Sequence, residues 1–139
     1  ASAESCTGGM ISSMITSVAG SSDVFAGGII AYSNDVKIGI LRVNPVTIEK
    51  YGAASEECAA EMCAGCAQLF SVDASFAVTG IAGPGGGSVE KPVGTVCFGF
   101  YYKGDIKTVK MHFGGDREIV RIRSAMFVLD ALRKGADIL

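Results

Sequence analysis

The chain is organised around an apolar strand that runs into glycines, Ala74-Ser75-Phe76-Ala77-Val78-Thr79-Gly80-Ile81-Ala82-Gly83-Pro84-Gly85-Gly86-Gly87. A stretch so rich in glycine cannot continue regular structure. Ligands bind at strand ends in α/β sheets, and successive glycines leave backbone N–H groups open to an anion. The stretch lacks the Gly-Lys-Ser/Thr of a Walker A loop, and no helix clearly follows it, as a dinucleotide fingerprint would require. It therefore predicts a ligand-binding loop, with a mobile surface loop as the alternative.

Helices and strands interleave on both sides of this loop. Apolar spacing predicts a helix over residues 10–18 that stops at Gly20, and then a buried strand over residues 25–32. Capping residues and glycine stops predict three further helices, at residues 35–41, 45–52 and 55–70. After the loop we expect a hairpin of strands 93–102 and 106–113 and a final helix from Asp116 to Gly135. The pattern predicts one α/β domain over residues 1–139, a three-layer α/β/α sandwich whose mixed sheet includes a late antiparallel hairpin.

Composition narrows the function classes. The chain has 139 residues, 49% of them hydrophobic, and a formal net charge of -2 with its basic residues scattered, so we expect no nucleic-acid partner. Its apolar stretches are short and rich in glycine, so we expect a soluble, cytoplasmic protein with no membrane contact. The five cysteines lie mostly on predicted helices or buried strands, and Cys63-x-x-Cys66 is read as core packing, not as a metal or redox site. Since the sequence pattern predicts no strand before the first Gly-Gly turn, we expect a short N-terminal segment to be lacking.

The segment Ala3-Glu4-Ser5-Cys6-Thr7-Gly8-Gly9 offers a candidate nucleophile, Ser5. A serine at a turn into a helix is exposed, and the N–H groups of the helix N-terminus can stabilise an oxyanion or bind phosphate. Thr7, Gly8 and Gly9 are thus candidate binding residues. The alternative is that Ser5 and Thr7 only cap the helix.

A base for Ser5 must come from elsewhere in the chain. The only histidine, His112, is predicted to lie mid-strand, away from the loop ends, which makes a Ser-His triad improbable. Lys37, in Tyr32-Ser33-Asn34-Asp35-Val36-Lys37, can reach back over the preceding strand end, and a lysine serves as a base when its pKa is lowered. The alternative for Lys37 is a solvated helix residue.

Two arginines of the last helix form the remaining candidate site. Arg117 and Arg121 share a helix face at i and i+4 and could clamp a phosphate or carboxylate. The alternative is an Asp-capped helix with a solvated basic side.

Together these segments resemble the CinA carboxy-terminal domain, also found as the stand-alone nicotinamide-nucleotide amidase (PncC). The resemblance extends to Gly20-Ser21-Ser22, Gly52-Ala53-x-Ser55-Glu56-Glu57, Glu90-Lys91-Pro92-Val93-Gly94-Thr95 and Gly115-Asp116-Arg117, and so spans the chain. It implies hydrolysis of nicotinamide mononucleotide to nicotinate mononucleotide and ammonia. It implies no metal or other cofactor, and its ligand is a small phosphorylated pyridine nucleotide. A homo-oligomer is compatible with it.

The resemblance also implies roles for individual residues. Ser5 is the nucleophile, Lys37 its base and Tyr32 a polar partner of the pair. The ligand pocket is expected to include a set drawn from the motifs above: Thr7, Gly8, Gly9, Asn34, Thr79, Gly80, Ile81, Ala82, Gly83, Gly85, Gly86, Arg117 and Arg121. The alternative function is a non-catalytic nucleotide-binding or partner-binding module of a longer CinA-like protein. A phosphatase or kinase is disfavoured, because paired carboxylates and a Walker lysine are missing.

Overall fold

The computed structural model describes residues 1–135 and shows a five-stranded mixed sheet between two layers of helices. Its elements in chain order are β1 (Ser2–Glu4), α1 (Met10–Thr16), a 3₁₀ turn (Ser21–Asp23), β2 (Gly28–Ile30), α2 (Asn34–Gly39), α3 (Pro45–Tyr51), α4 (Glu56–Phe70), β3 (Ala74–Gly80), β4 (Thr95–Tyr102), β5 (Asp105–His112) and α5 (Arg117–Lys134). The strand order is β2-β1-β3-β4-β5. β1 is parallel to β2 and β3, whereas β3, β4 and β5 are antiparallel. The predicted α/β/α architecture and late hairpin are confirmed.

The two faces of the sheet bury different side chains, because side chains alternate along each strand. Phe76 and Val78 of β3 join a large apolar cluster with α1 and α5. Ala77, between them, faces a cluster of smaller side chains with α4 and the segment around Leu41. Gly99 lets α4 approach closely, since a Cβ there would lie 2.3 Å from the carbonyl oxygen of Ala59.

The cysteines of α4 belong to this second cluster. Cys58, Cys63 and Cys66 are fully buried and free, as the core-packing interpretation predicted. Burial raises the pKa of Cys63 to about 12, so its thiol stays protonated. Among residues 1–135 no helix is both long and apolar enough to cross a bilayer.

Two strand predictions were wrong. A strand does precede the Gly-Gly turn: β1 has only three residues, too few to show an alternating pattern, yet it lies between two parallel neighbours. The strand predicted at residues 25–32 is reduced to three residues at the sheet edge, and Ile30 is 55% exposed. Its apolar residues suggested burial, but its position at the edge leaves one side open to solvent.

The helix predictions agree with the structure better than the strand predictions do. Ser33, Asn44, Ser55 and Asp116 each cap a helix with a side-chain oxygen, on α2, α3, α4 and α5 respectively. Gly135 ends α5 as expected. These helices start where the oxygen of a short polar side chain can accept a hydrogen bond from one of the first free N–H groups.

Candidate active site

A cleft opens where β1 and β3 end, at the carboxyl edge of the parallel strands. Its cavity of about 420 Å³ is large enough for a small ligand. The cavity is lined by Ser5, Cys6, Tyr32, Asn34, Lys37, Gly52, Ala53, Ala54, Thr79, Gly80, Ile81, Ala82, Gly86, Ser88, Lys91 and Arg117. The side chains of this set include three basic residues and no carboxylate.

The turn that carries Ser5, called the Ser5 turn (residues 4–9), is fixed to the sheet and to itself. The Ser5 N–H donates to the Val78 carbonyl oxygen at 2.9 Å, and the Gly8 N–H returns to the Ser5 carbonyl at 3.0 Å. Gly8 and Gly9 have φ values of 62° and 92°, a left-handed backbone that glycine adopts without strain. The chain can therefore reverse sharply from β1 into α1 with Ser5 at the cleft.

Glu4 anchors this turn from inside the protein. Its carboxylate is fully buried and accepts the N–H groups of Gly9 and Ile11 at 3.0 and 3.1 Å. It also accepts the N–H and hydroxyl of Ser12 at 2.8 and 2.6 Å. A negative group at a helix N-terminus is favourable. Here the Glu4 carboxylate accepts hydrogen bonds from N–H groups that usually bond to the side chain of a capping residue.

Glu4 therefore changes two of the sequence-based interpretations. Neither Ser5 nor Thr7 caps α1, so the alternative of a merely capping serine is wrong. The N–H groups at the start of α1 are also occupied by Glu4 and are not available to an oxyanion or phosphate.

Arg121 fixes the Ser5 turn from the side of α5. Its Nε donates to the Cys6 carbonyl at 3.1 Å, and its Nη2 donates to the Thr7 carbonyl at 3.0 Å. Arg121 does not line the cavity. The N–H groups of Cys6 and Thr7 have no backbone acceptor within residues 1–135, which leaves them as candidate oxyanion donors beside Ser5.

Ser5 and Lys37 meet in the floor of the cleft. The Lys37 ammonium donates to Ser5 Oγ at 3.1 Å, and it also donates to the carbonyl oxygens of Ala31 at 2.8 Å and Tyr32 at 3.3 Å. Only 1% of Lys37 is exposed, so it is not a solvated helix lysine. The distance lies within the reach that a nucleophile and its base require.

Burial lowers the pKa of Lys37 below its usual value, an effect that the thiols of Cys58 and Cys6 partly oppose. A lysine that loses its proton more readily is a better base near neutral pH. Burial raises the pKa of the neighbouring Cys6 to about 11, so its thiol stays protonated near neutral pH.

Arg117 braces the mouth of the cleft. Its Nη1 donates to the Gly83 carbonyl at 2.7 Å and its Nη2 donates to the Tyr32 hydroxyl at 2.9 Å. It thereby joins the glycine-rich segment to the end of β2. The Tyr32 carbonyl meets Lys37 and its hydroxyl meets Arg117, so Tyr32 connects the base to this brace.

The segment after β3, called the Gly-rich loop (residues 81–94), forms the opposite wall. Ile81 and Gly94 pair across its base, at 2.7 Å from the Gly94 N–H to the Ile81 carbonyl. Within residues 1–135 the N–H groups of Ala82, Gly85 and Gly86 have no hydrogen-bond acceptor. Lys91 closes the loop against the turn before α4, where its ammonium donates to the carbonyls of Tyr51 and, at 2.8 Å, Ala54.

The structure brings together most of the residues predicted for the site. Ser5, Tyr32, Asn34, Lys37, Thr79, Gly80, Ile81, Ala82, Gly86 and Arg117 all line the cavity. Thr7, Gly8, Gly9, Gly83, Gly85 and Arg121 do not line it. Thr7, Gly8 and Gly9 form part of the Ser5 turn instead. The carbonyl oxygen of Gly83 accepts a hydrogen bond from Arg117.

Several residues of the site were missed. Lys91 and the Gly52-Ala53-Ala54 turn carried a signal as parts of recognised motifs, but nothing in the sequence showed that they meet. His112 was misplaced: it is the last residue of β5, paired with Thr95 at the end of the hairpin nearest the cleft. Its Nε2 lies 3.0 Å from the Val93 carbonyl, and it does not line the cavity.

Residues 1–136 match the model of the CinA C-terminal domain. The chain belongs to the CinA C-terminal domain family. A CinA-like protein of Fervidobacterium nodosum is 50% identical over 133 residues, which cover 96% of this chain but 33% of that protein. The chain spans about a third of the length of such CinA-like relatives.

Shorter CinA-family proteins match over most of their length. The nicotinamide-nucleotide amidohydrolase PncC of Enterobacter agglomerans is 52% identical over 134 residues, 95% of this chain and 82% of that protein. The crystal structure of competence damage-inducible protein A (ComA) from Klebsiella pneumoniae has a TM-score of 0.93 and 35% identity, and covers 96% of this chain and 83% of that one. The competence/damage inducible protein CihA from Agrobacterium tumefaciens has a TM-score of 0.92 and 39% identity, with 96% and 82% covered.

Proposed function

We propose that this CinA-family domain hydrolyses the carboxamide of nicotinamide mononucleotide, releasing ammonia and nicotinate mononucleotide. The observation that carries the proposal is the 3.1 Å contact between Ser5 Oγ and the buried Lys37 Nζ. The name of the PncC relative supports the substrate. A cleft lined by basic side chains and no carboxylate suits a ligand with a phosphate.

The proposed reaction uses two chemical steps. Neutral Lys37 accepts the Ser5 proton while Ser5 Oγ bonds to the amide carbon, and the N–H groups of Cys6 and Thr7 hold the oxyanion. The carbon–nitrogen bond then breaks and ammonia leaves with the proton from Lys37. Water attacks the acyl-serine, Lys37 takes one proton of that water, and the proton returns to Ser5 as the carbon–Oγ bond breaks; the carboxylic acid product then loses its own proton to solvent.

Ammonia release from nicotinamide mononucleotide tests the proposal. Ser5→Ala and Lys37→Met should each lower kcat by about a thousand-fold or more, because nucleophile and base act as a unit. Ser13→Ala and Lys107→Met are matched controls, since both side chains are exposed and lie outside the cleft. They should retain kcat within about twofold. Wild-type turnover that persists in Ser5→Ala would remove the serine mechanism.

A second candidate is a module that binds the nucleotide without reaction inside a longer protein. The long CinA-like relatives favour it, because the domain is a third of their length. Crystals soaked with nicotinamide mononucleotide distinguish the two: an intact amide beside Ser5 supports binding alone, and a carboxylate or acyl-serine supports the amidase.

A further inference from the structure

The basic residues of the cleft are held in different ways. Arg117 uses both terminal nitrogens on the Gly83 carbonyl and the Tyr32 hydroxyl, and Arg121 lies outside the cavity on the carbonyls of the Ser5 turn. Lys37 is committed to Ser5. Lys37 and Arg121 are thus committed to Ser5 and its turn, and Arg117 joins the Gly-rich loop to Tyr32.

Lys91 is the third basic residue that lines the cavity, and among residues 1–135 it contacts neither Ser5 nor the Ser5 turn. Its ammonium has three donor hydrogens, and its acceptors within residues 1–135 are two carbonyl oxygens, those of Tyr51 and Ala54. Carbonyl groups do not neutralise its charge, and within the same residues it forms no ion pair. Lys91 therefore brings to the cavity wall a positive charge that is not paired with a carboxylate among residues 1–135.

The surroundings of Lys91 are those of an anion site. Ser88 lies on the same wall and holds Lys91 in place: its N–H donates to the Lys91 carbonyl at 2.9 Å, and its hydroxyl accepts the Lys91 N–H at 3.0 Å while donating to the Glu90 carboxylate at 3.0 Å. Gly86 also lines the cavity, with its N–H lacking an acceptor among the described residues. A lysine together with glycine-loop N–H groups is a donor set that suits a phosphate.

Lys91 also stands apart from the reacting pair in the fold. Lys37 contacts the chain just after β2, whereas Lys91 contacts the turn between α3 and α4. Both residues line the same cavity, so one ligand with an amide and a phosphate can contact both.

We propose that Lys91 recognises the phosphate of the ligand, with its ammonium held on the Tyr51 and Ala54 carbonyls while the site is empty. The inference rests on the proposed ligand class, but not on the proposed reaction. It assigns the phosphate to the Gly-rich loop and not to the arginines of α5. It also makes Lys91 the residue that favours a phosphorylated ligand over its nucleoside.

Calorimetric titration of the Ser5→Ala protein tests this assignment without turnover. Its affinities for nicotinamide mononucleotide and for the phosphate-free nicotinamide riboside are compared with those of Ser5→Ala/Lys91→Met. Loss of a charged hydrogen bond should weaken mononucleotide binding by about 10- to 100-fold. Riboside binding should change by less than about twofold, and Lys91→Arg should recover part of the lost affinity, because it keeps the charge.

Lys110→Met in the Ser5→Ala background is the matched control. Lys110 and Lys91 both lie near enough to Cys97 to act on the pKa of its thiol, but Lys110 does not line the cleft. Its removal should leave both affinities within about twofold. Thermal unfolding of each variant confirms that it is folded.

The remaining outcomes separate the hypotheses. If Lys91→Met weakens the binding of both ligands equally, Lys91 only joins the loop to the turn, and its role in phosphate recognition is overturned. Unchanged affinity for the mononucleotide would overturn that role as well. Mononucleotide binding without ammonia release by the wild type would overturn the reaction and leave the Lys91 assignment standing. If the Ser5→Ala protein binds neither ligand, the ligand class and the Lys91 assignment are both wrong.

Discussion

The Ser5 turn and the Gly-rich loop form facing parts of one cleft, yet they use their polar groups in opposite ways. In the Ser5 turn Glu4 takes up four donors, and Arg121 takes up two carbonyl oxygens. In the Gly-rich loop, N–H groups such as those of Ala82 and Gly86 have no acceptor among the described residues. The first region uses most of its polar groups to hold Ser5 in place and leaves, within residues 1–135, only the N–H groups of Cys6 and Thr7 without an acceptor, whereas the second keeps several N–H donors available for a ligand.

We expect substitutions in the Ser5 turn to lower the free energy of unfolding more than substitutions in the Gly-rich loop. Glu4→Ala removes the acceptor of four buried or partly buried donors, so we expect the free energy of unfolding to fall by about 3 kcal/mol or more. Urea unfolding followed by circular dichroism measures it. Glu57→Ala is the control, because Glu57 is an exposed carboxylate in the first turn of α4, and its loss should cost less than about 1 kcal/mol. Similar losses in the two variants would contradict the anchoring role of Glu4.

The lowered pKa of Lys37 predicts how activity depends on pH. Lys37 must be neutral to accept the Ser5 proton, so kcat/KM should rise about tenfold per pH unit below its pKa. The curve should level off below 10.5, the usual lysine value, because burial lowers the pKa of Lys37. A pH–rate profile for ammonia release measures the effect. A profile that keeps rising to pH 10.5 or above would contradict a lowered pKa.

Stability provides an independent check on the same group. The unfolded chain keeps the proton on Lys37 up to about 10.5, whereas the folded chain releases it at lower pH. Between the two pKa values the unfolded state binds more protons, so the contribution of Lys37 to stability should increase with pH. Lys37→Met should flatten that part of the pH–stability curve, and Lys107→Met should not.

The Gly-rich loop should show the smallest effects, and they should depend on position. A Cβ at Gly87 would lie 2.7 Å from the backbone nitrogen of Val93, whereas a Cβ at Gly85 would meet nothing within 4 Å. We therefore expect Gly87→Ala to cost about 1 kcal/mol of stability, since the loop can shift in part. Gly85→Ala should stay within about 0.5 kcal/mol. Urea unfolding of the two variants measures the difference. Equal free energies of unfolding would contradict the steric constraint at Gly87.

Local signals in the sequence were enough for much of the fold. Ser33, Asn44, Ser55 and Asp116 were read as helix starts, because a cap depends on residues a few positions apart. The hairpin of β4 and β5 was predicted from β-branched and aromatic residues around a short turn. The short β1 and the exposure of β2 were missed, because they depend on which strands become neighbours.

The residues of the candidate site also fall into two groups: those that local motifs indicated, and those whose contacts depend on long-range packing. The motifs indicated Ser5 and Lys37 as a candidate nucleophile and base, and the predicted position of the only histidine, His112, away from the loop ends narrowed the choice. Lys91 was overlooked, because its partners Tyr51 and Ala54 lie about forty positions earlier in the chain. Arg121 was predicted to meet the ligand, but the packing of α5 places it on the Cys6 and Thr7 carbonyls.

The sequence by itself determined the family, the layer order of helices and strands, and the residue types available for amide chemistry, because these follow from local patterns. Only the tertiary structure decided how those residues are used. Glu4 and Lys37 are both buried charged side chains, but one is surrounded by backbone N–H groups and the other by a hydroxyl and carbonyl oxygens. Burial and contact partners, which long-range packing creates, make the first an anchor and lower the pKa of the second.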